Sequence, residues 1–187
     1  MNKFTISFIF IAILSLVGVG VYTQLNKEAV PGKAKRLPCM SKVTSFERSY
    51  GIEDIQKAQA QIENGNFSLS SDIDKAIFMN STLFDYVDMK KIDQVALDTL
   101  NSFVKNKTTH KKQPLKVLFT VFENDRDDPK KKSKNCKLYR GYVVFKFKNE
   151  KNKIVYQNQI DFLDPQGADV AQTISCAINA FMTYNIK

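Results

Sequence analysis

The side chains able to do chemistry in this sequence are few and far apart. The cysteines are Cys39, Cys136 and Cys176, and His110 is the only histidine. A structural zinc site takes Cys and His ligands at short paired spacings, and these residues form no such pair. An activated Cys or Ser nucleophile takes a base held in a packed setting, whereas His110 lies between Thr109 and Lys111 in a basic linker. Asp125, Asp127 and Asp128 are spaced like the start of a calcium loop. A helix-loop-helix calcium site would then carry Gly near position 130 and Glu near position 136, where this chain has Lys130 and Cys136. Glu123 and Asp125 before a lysine run suggest metal-nuclease chemistry, but no partner carboxylate stands at a matching spacing. A hydrolase built from carboxylates alone would need a pocket holding at least two of them, and the sequence marks none. The sequence therefore predicts no catalytic residue, no metal ligand and no cofactor.

Charge is the remaining chemical signal. Lys and Arg number 28 against 19 Asp and Glu, a formal charge of +9. Such an excess serves a solvated surface or a polyanionic partner. Lys105, Lys107, His110, Lys111 and Lys112 precede one apolar run, and Lys148, Lys151 and Lys153 surround a short polar turn. If the intervening strands are antiparallel, both groups fall at one end of a sheet. Lys107, Lys111, Lys112, Lys148, Lys151 and Lys153 would then form an anion-binding rim. Lys130, Lys131, Lys132, Lys134 and Lys137 belong to the opposite end, about 30 Å away along a nine-residue strand. The aromatic side chains that would stack on bases are committed to core positions, which disfavours nucleic acid.

The elements that must carry these residues centre on 115–164. Three strands are expected, Leu115–Glu123, Leu138–Lys148 and Lys153–Leu163. The second alternates Gly141, Val143, Phe145 and Phe147 against Tyr142, Val144, Lys146 and Lys148, the period of a half-buried strand. The third alternates Ile154, Tyr156, Ile160 and Phe162, interrupted by Asn158. The first is apolar on both faces and belongs in the sheet interior. Asn149–Asn152 is short and polar enough for a hairpin turn. Asp88 caps an expected helix running to Lys105, with Met89, Ile92, Ala96, Leu100 and Phe103 on one face. Asp164 and Pro165 open a last helix with Val170, Ile174, Ala177, Ile178 and Phe181 inward. Ile52–Asn64 is a helix with a thin stripe, Ile52, Ile55, Gln59 and Ile62, expected at the domain edge. Ser70–Asp72 opens a further segment, helical by the spacing of Ile73, Ile77 and Asn80, while Phe78–Val87 fits extended chain equally. The expected fold is α+β: a three-stranded antiparallel sheet packed on one face by two helices.

Phe4–Tyr22 carries no charge and, as a helix, spans about 28 Å, close to a bilayer core. It fits an uncleaved signal anchor better than a cleaved signal peptide, whose apolar region is shorter. Residues 23–45 read as a polar stem and 46–187 as one domain. Lys27, Lys33, Lys35, Arg36 and Lys42 after the span would hold that side in the cytoplasm by the positive-inside rule. A terminal span followed by a whole domain is instead the layout of an exported protein. The expected location is the periplasmic or extracellular face, membrane-anchored, or secreted if the segment is cleaved. Lipid attachment at Cys39 is rejected, because the residue lies far beyond the apolar run and follows Pro38. Export would permit a disulfide. Cys136–Cys176 is disfavoured, because Cys176 would lie about 16 Å along the last helix, whereas bridged Cα atoms are about 4.4–6.8 Å apart. Cys39 could reach Cys136 or a second chain, or all three thiols stay unpaired. The expected function is a non-catalytic accessory domain of the envelope, binding another envelope protein or itself, or alternatively a polyanion or anionic-lipid binding module.

Overall fold

The structure, a computed structural model, describes residues 37–106, 114–131 and 138–185. The expected span at 4–22, His110 and Cys136 lie outside them, as do Lys107, Lys111 and Lys112. Among the described residues no helix is long and apolar enough to cross a membrane. The chain runs β1 (Ser45–Ser49), α1 (Ile52–Glu63), β2 (Phe67–Asp74), α2 (Met89–Asn101), β3 (Leu115–Glu123), β4 (Gly141–Lys148), β5 (Ile154–Phe162) and α3 (Val170–Met182). The fold is mixed α+β.

The sheet has five strands, not three, in the order β1-β5-β4-β3-β2. The three expected strands form its middle, and every pairing but one is antiparallel. β2 joins β3 in parallel, a connection that needs a crossover, which α2 supplies. β2 replaces the helical segment expected from Ser70. Its alternation is real but weak: Phe67 and Leu69 pack on the core, Ile73 shares their side but is exposed, and only Ser and Asp occupy the other face. β1 is too short to show a period, and it holds its place by pairing Ser45–Ser49 with β5.

Three helices cover one face of the sheet, rather than two. α2 and α3 pack together, with Thr99 Oγ1 and Ser175 Oγ 3.1 Å apart across the seam. Asp88 caps α2 as expected, accepting from the Lys90 N–H. α1 is not peripheral: Ile55, Ala58 and Ile62 are buried against the core. Its Gln59 donates to the Phe181 carbonyl at 2.7 Å and the Tyr184 carbonyl at 3.1 Å, satisfying the carboxyl end of α3. Such a polar residue thins the stripe while tying two helices together. Phe119, Phe145, Phe147, Tyr156, Phe162 and Phe181 fill the core, and the Phe147 and Phe181 rings stack at 3.8 Å between centroids. Asn158, the interruption in β5, is buried and donates to the Ala177 carbonyl at 2.8 Å, fixing the register of α3 on the sheet.

The last helix begins at Val170, later than Asp164. Asp164 instead accepts from the Gln166 and Ala168 N–H groups, and Asp169 accepts from Leu163 N–H. This closes a turn through Gly167, whose φ is +73°. The shorter helix moves Cys176 into its second turn, where it is bonded to Cys39 with Cα atoms 6.1 Å apart. Residues 37–44, expected within a polar stem, therefore pack against the domain, and Met40 is buried. At the entry to β4, a Cβ on Gly141 would lie 2.2 Å from the Phe122 carbonyl oxygen and 2.3 Å from Phe162 Cζ. Gly141→Ala is expected to lower stability by about 1–3 kcal/mol through this crowding. A urea unfolding curve checks it, through a lower midpoint at unchanged slope.

Candidate functional site

β3 ends in Glu123, and the chain beyond it supplies Asp125. Both carboxylates turn back onto the 75–83 loop that follows β2. Glu123 is buried, and its Oε1 accepts from the Thr82 and Leu83 N–H groups at 3.0 Å each. Its Oε2 accepts from the Ala76 N–H at 3.3 Å. Arg140, also buried, places Nη2 3.0 Å from the same Oε1 and donates to Thr82 Oγ1 at 2.8 Å. Asp125 Oδ2 accepts from the Ile77 and Phe78 N–H groups at 2.6 Å each. Burial raises the Glu123 carboxyl, but the hydrogen bonds from Ser81, Thr82, Leu83 and Ala76 outweigh it and hold the group below the usual carboxylate range. For Asp125 desolvation likewise pulls upward, and the N–H donors of Phe78 and Ile77 win. The two residues that looked nearest to a metal or nuclease pair in the sequence thus serve as acceptors for a loop backbone. Among the described residues no three His, Cys, Asp or Glu side chains are grouped so as to hold a metal.

Held in this way, the loop displays its apolar side chains to solvent. Ile77 is 82% exposed and Phe78 57%. Leu83, next along, is buried and pins the loop to the core. At the same end of the sheet Tyr86, Leu138 and Leu163 are also exposed. These three line a hollow of about 410 Å³ with Thr82, Arg126, Tyr139, Arg140, Pro165 and Gln166. Single exposed apolar residues are ordinary on protein surfaces. Three around one hollow, with Ile77 and Phe78 on the loop at the same end of the sheet, are the kind of exposed apolar residues that mark a contact surface.

The expected lysine rim is placed in part. Lys151 and Lys153 line a cleft of about 380 Å³ between the β4–β5 turn and α1. Lys57 joins them, but so do Asp54 and Glu150, and Gln61 bridges to Glu150 at 3.4 Å. Two carboxylates do share a cleft here, among three lysines, so its charge is mixed rather than basic. Lys148 points to the other face of the sheet, opposite Lys116. Of the six rim lysines, the three described ones therefore lie on two surfaces, and Lys107, Lys111 and Lys112 lie outside the described residues.

The apolar loop end was not legible in the sequence. Ile77 and Phe78 fall there in a segment that fits helix or extended chain, and the nearest signal is the pair of acids after β3, whose calcium and nuclease readings both lack the further ligands they need.

No protein-family model matches the chain, and no curated protein matches it. Among solved structures it is similar to two PelC dodecamers from Paraburkholderia phytofirmans, one of them a point variant. The variant has 9% identity and a TM-score of 0.37, covering 78% of this chain and 99% of that one. The other has 10% identity and a TM-score of 0.38, covering 75% and 95%. At these scores the likeness carries no functional argument.

Proposed function

We propose that this chain is a membrane-tethered, non-catalytic accessory domain of the cell envelope that docks another envelope protein through its apolar loop end. One observation carries the reading. Two carboxylates and a buried arginine fix the backbone of 75–83, and that loop points Ile77 and Phe78 outward. Fixing a loop before contact lowers the ordering cost of binding, and exposed aromatic and aliphatic anchors are the usual source of binding energy. The Cys39–Cys176 bond supports an oxidising compartment, where such bonds persist. Self-assembly through the same end is the second form of the reading, because the patch would serve equally well in a closed pair of copies.

The test places a photo-crosslinking residue at Ile77, Phe78 or Leu138 in the full chain in cells, with Lys90 on α2 as control. Discrete adducts at the three loop positions and none at the control are expected. Their mass separates a heterologous partner from a second copy. Ile77→Ser/Phe78→Ser should remove the adducts formed through Leu138 while changing stability by no more than about 0.5 kcal/mol, as exposed substitutions do. Equal labelling at loop and control positions would overturn the reading.

A further inference from the structure

The helices cover one face of the sheet, and among the described residues no helix covers the other. Register places its side chains in rows. One row reads Arg48, Gln157, Lys146, Leu118 and Ser70 across β1-β5-β4-β3-β2. The next row toward the β4–β5 turn sets Lys148 directly against Lys116. These four cations spread over roughly 15 Å across the strands and about 7 Å along them. Neither ion pair found among the described residues involves any of them. The acids of this face stand in the rows at the other end, where Asp72, Asp74 and Asp161 lie on β2 and β5. Burial and then these last two carboxylates push the Tyr142 phenol up, and burial alone pushes Asp161 up. The face is therefore polarised along its strands.

A like-charged pair directly across two strands destabilises a sheet. Lys116 opposite Lys148, with Lys146 one row along on the same strand and no acid in either row, is a local cost that packing does not require. The edge of the same face carries Phe46, 62% exposed, and Tyr50, 45% exposed, with the Arg48 guanidinium 5.1 Å from the Tyr50 ring centroid. Cationic and edged along β1 by exposed aromatics, this surface matches the headgroup layer of an anionic bilayer, where basic residues meet phosphates and aromatic rings sit at the interface. Residues 23–36, between the apolar run and the folded unit, allow a reach of at most roughly 50 Å at about 3.5 Å per residue.

We infer that the open sheet face, through Arg48, Lys116, Lys146 and Lys148, docks on the anionic headgroups of a lipid bilayer. The surface is separate from the apolar loop end. It rests on the tether reading only for the nearness of the membrane. One consequence is orientation: with the basic rows against lipid, the strands lie along the bilayer and the helices on the opposite sheet face point away from it.

The test mixes the full chain with vesicles of phosphatidylcholine, or of phosphatidylcholine and phosphatidylglycerol in equal parts. Flotation and the acetylation rate of each lysine are then read. Lys116, Lys146 and Lys148 should react severalfold more slowly on the anionic vesicles, and high salt should restore them. Lys57 and Lys90, on the helical side, should not change. Each basic residue near an anionic leaflet strengthens binding about fivefold. Lys116→Ala/Lys146→Ala should therefore lower the docked-to-undocked ratio about 25-fold, read at Lys148. Flotation on neutral vesicles reports the anchor alone, so an anchor that fails is separable from a face that does not dock. If the anchor fails, flotation on anionic vesicles only is itself the expected result. Equal lysine rates on both vesicles would overturn the inference, as would protection by a soluble acidic polysaccharide but not by lipid.

Discussion

Glu123→Ala is expected to destabilise the fold by about 3–5 kcal/mol, the cost of leaving a buried charge without its partner. Arg140 would keep its guanidinium buried with only Thr82 Oγ1 as a side-chain acceptor. The N–H groups of Ala76, Thr82 and Leu83 would lose their carboxylate as well. Leu83 would then lose its position, and the loop would open around Ile77 and Phe78. Hydrogen exchange should show the 76–83 amides losing protection by far more than the strand amides do. Replacing both partners, Glu123→Leu with Arg140→Met, should cost less than Glu123→Ala alone, because no unpaired charge is left behind. If the single variant unfolds at the wild-type denaturant midpoint, the pair is not what fixes the loop. The same group gives the acid response its sign. The folded state holds Glu123 below its ordinary range, so its contribution is present above the unfolded pKa and is lost as pH falls through the folded one. That places the loss below about pH 4, the usual carboxylate value, with the loop failing before the core.

The second large effect is expected at Cys39–Cys176. Cys39→Ser/Cys176→Ser should lower stability by about 2–4 kcal/mol, because the bond closes most of the folded chain into one loop and limits the unfolded ensemble. The two residues are 137 apart in sequence, so the chain-entropy contribution lies near the top of the usual range. The double variant is cleaner than either single one, which would leave a thiol able to pair with Cys136. Packing adds a local loss, because the bond holds the Pro38–Met40 turn on α3 and keeps Met40 buried. Equilibrium unfolding in urea, with and without reductant, measures the difference. Peptide mapping without reduction should recover Cys39 joined to Cys176. Recovery of Cys136 in that bond instead would overturn the assignment.

The sequence disclosed what strong alternation can disclose. The valines and phenylalanines of β4 and the doubly apolar β3 placed the middle of the sheet and the face that the helices cover. β2 stayed hidden because three Ser and two Asp leave only Phe67, Leu69 and Ile73 to mark its period, and parallel pairing needs no local turn to announce it. β1 has five residues and depends wholly on a partner more than a hundred residues away. The Cys39–Cys176 bond is hidden by the polar composition of 37–44, which reads as a stem although Met40 is buried against the domain, and the helix start suggested by Asp164 and Pro165 also misplaces Cys176, since α3 begins only at Val170. The loop end was illegible for a different reason. Nothing local tells whether Glu123 will meet a metal, a proton or a backbone amide, since that depends on which chain segment the fold brings beside it.

The pairing of β1 with β5 has a consequence for how the chain is made. The first strand and the first cysteine both find their partners in the last quarter of the sequence. Contacts of such long range close late, since loop entropy must be overcome before they contribute. A growing chain can form β2, α2, β3 and β4 in order, but β1 has no edge to join until β5 has emerged. During synthesis Ser45–Ser49 and the thiol of Cys39 are therefore exposed for most of the time that translation takes. Any factor that protects nascent chains from aggregation or premature oxidation would find its substrate there, at the N-terminal end, rather than in the central strands.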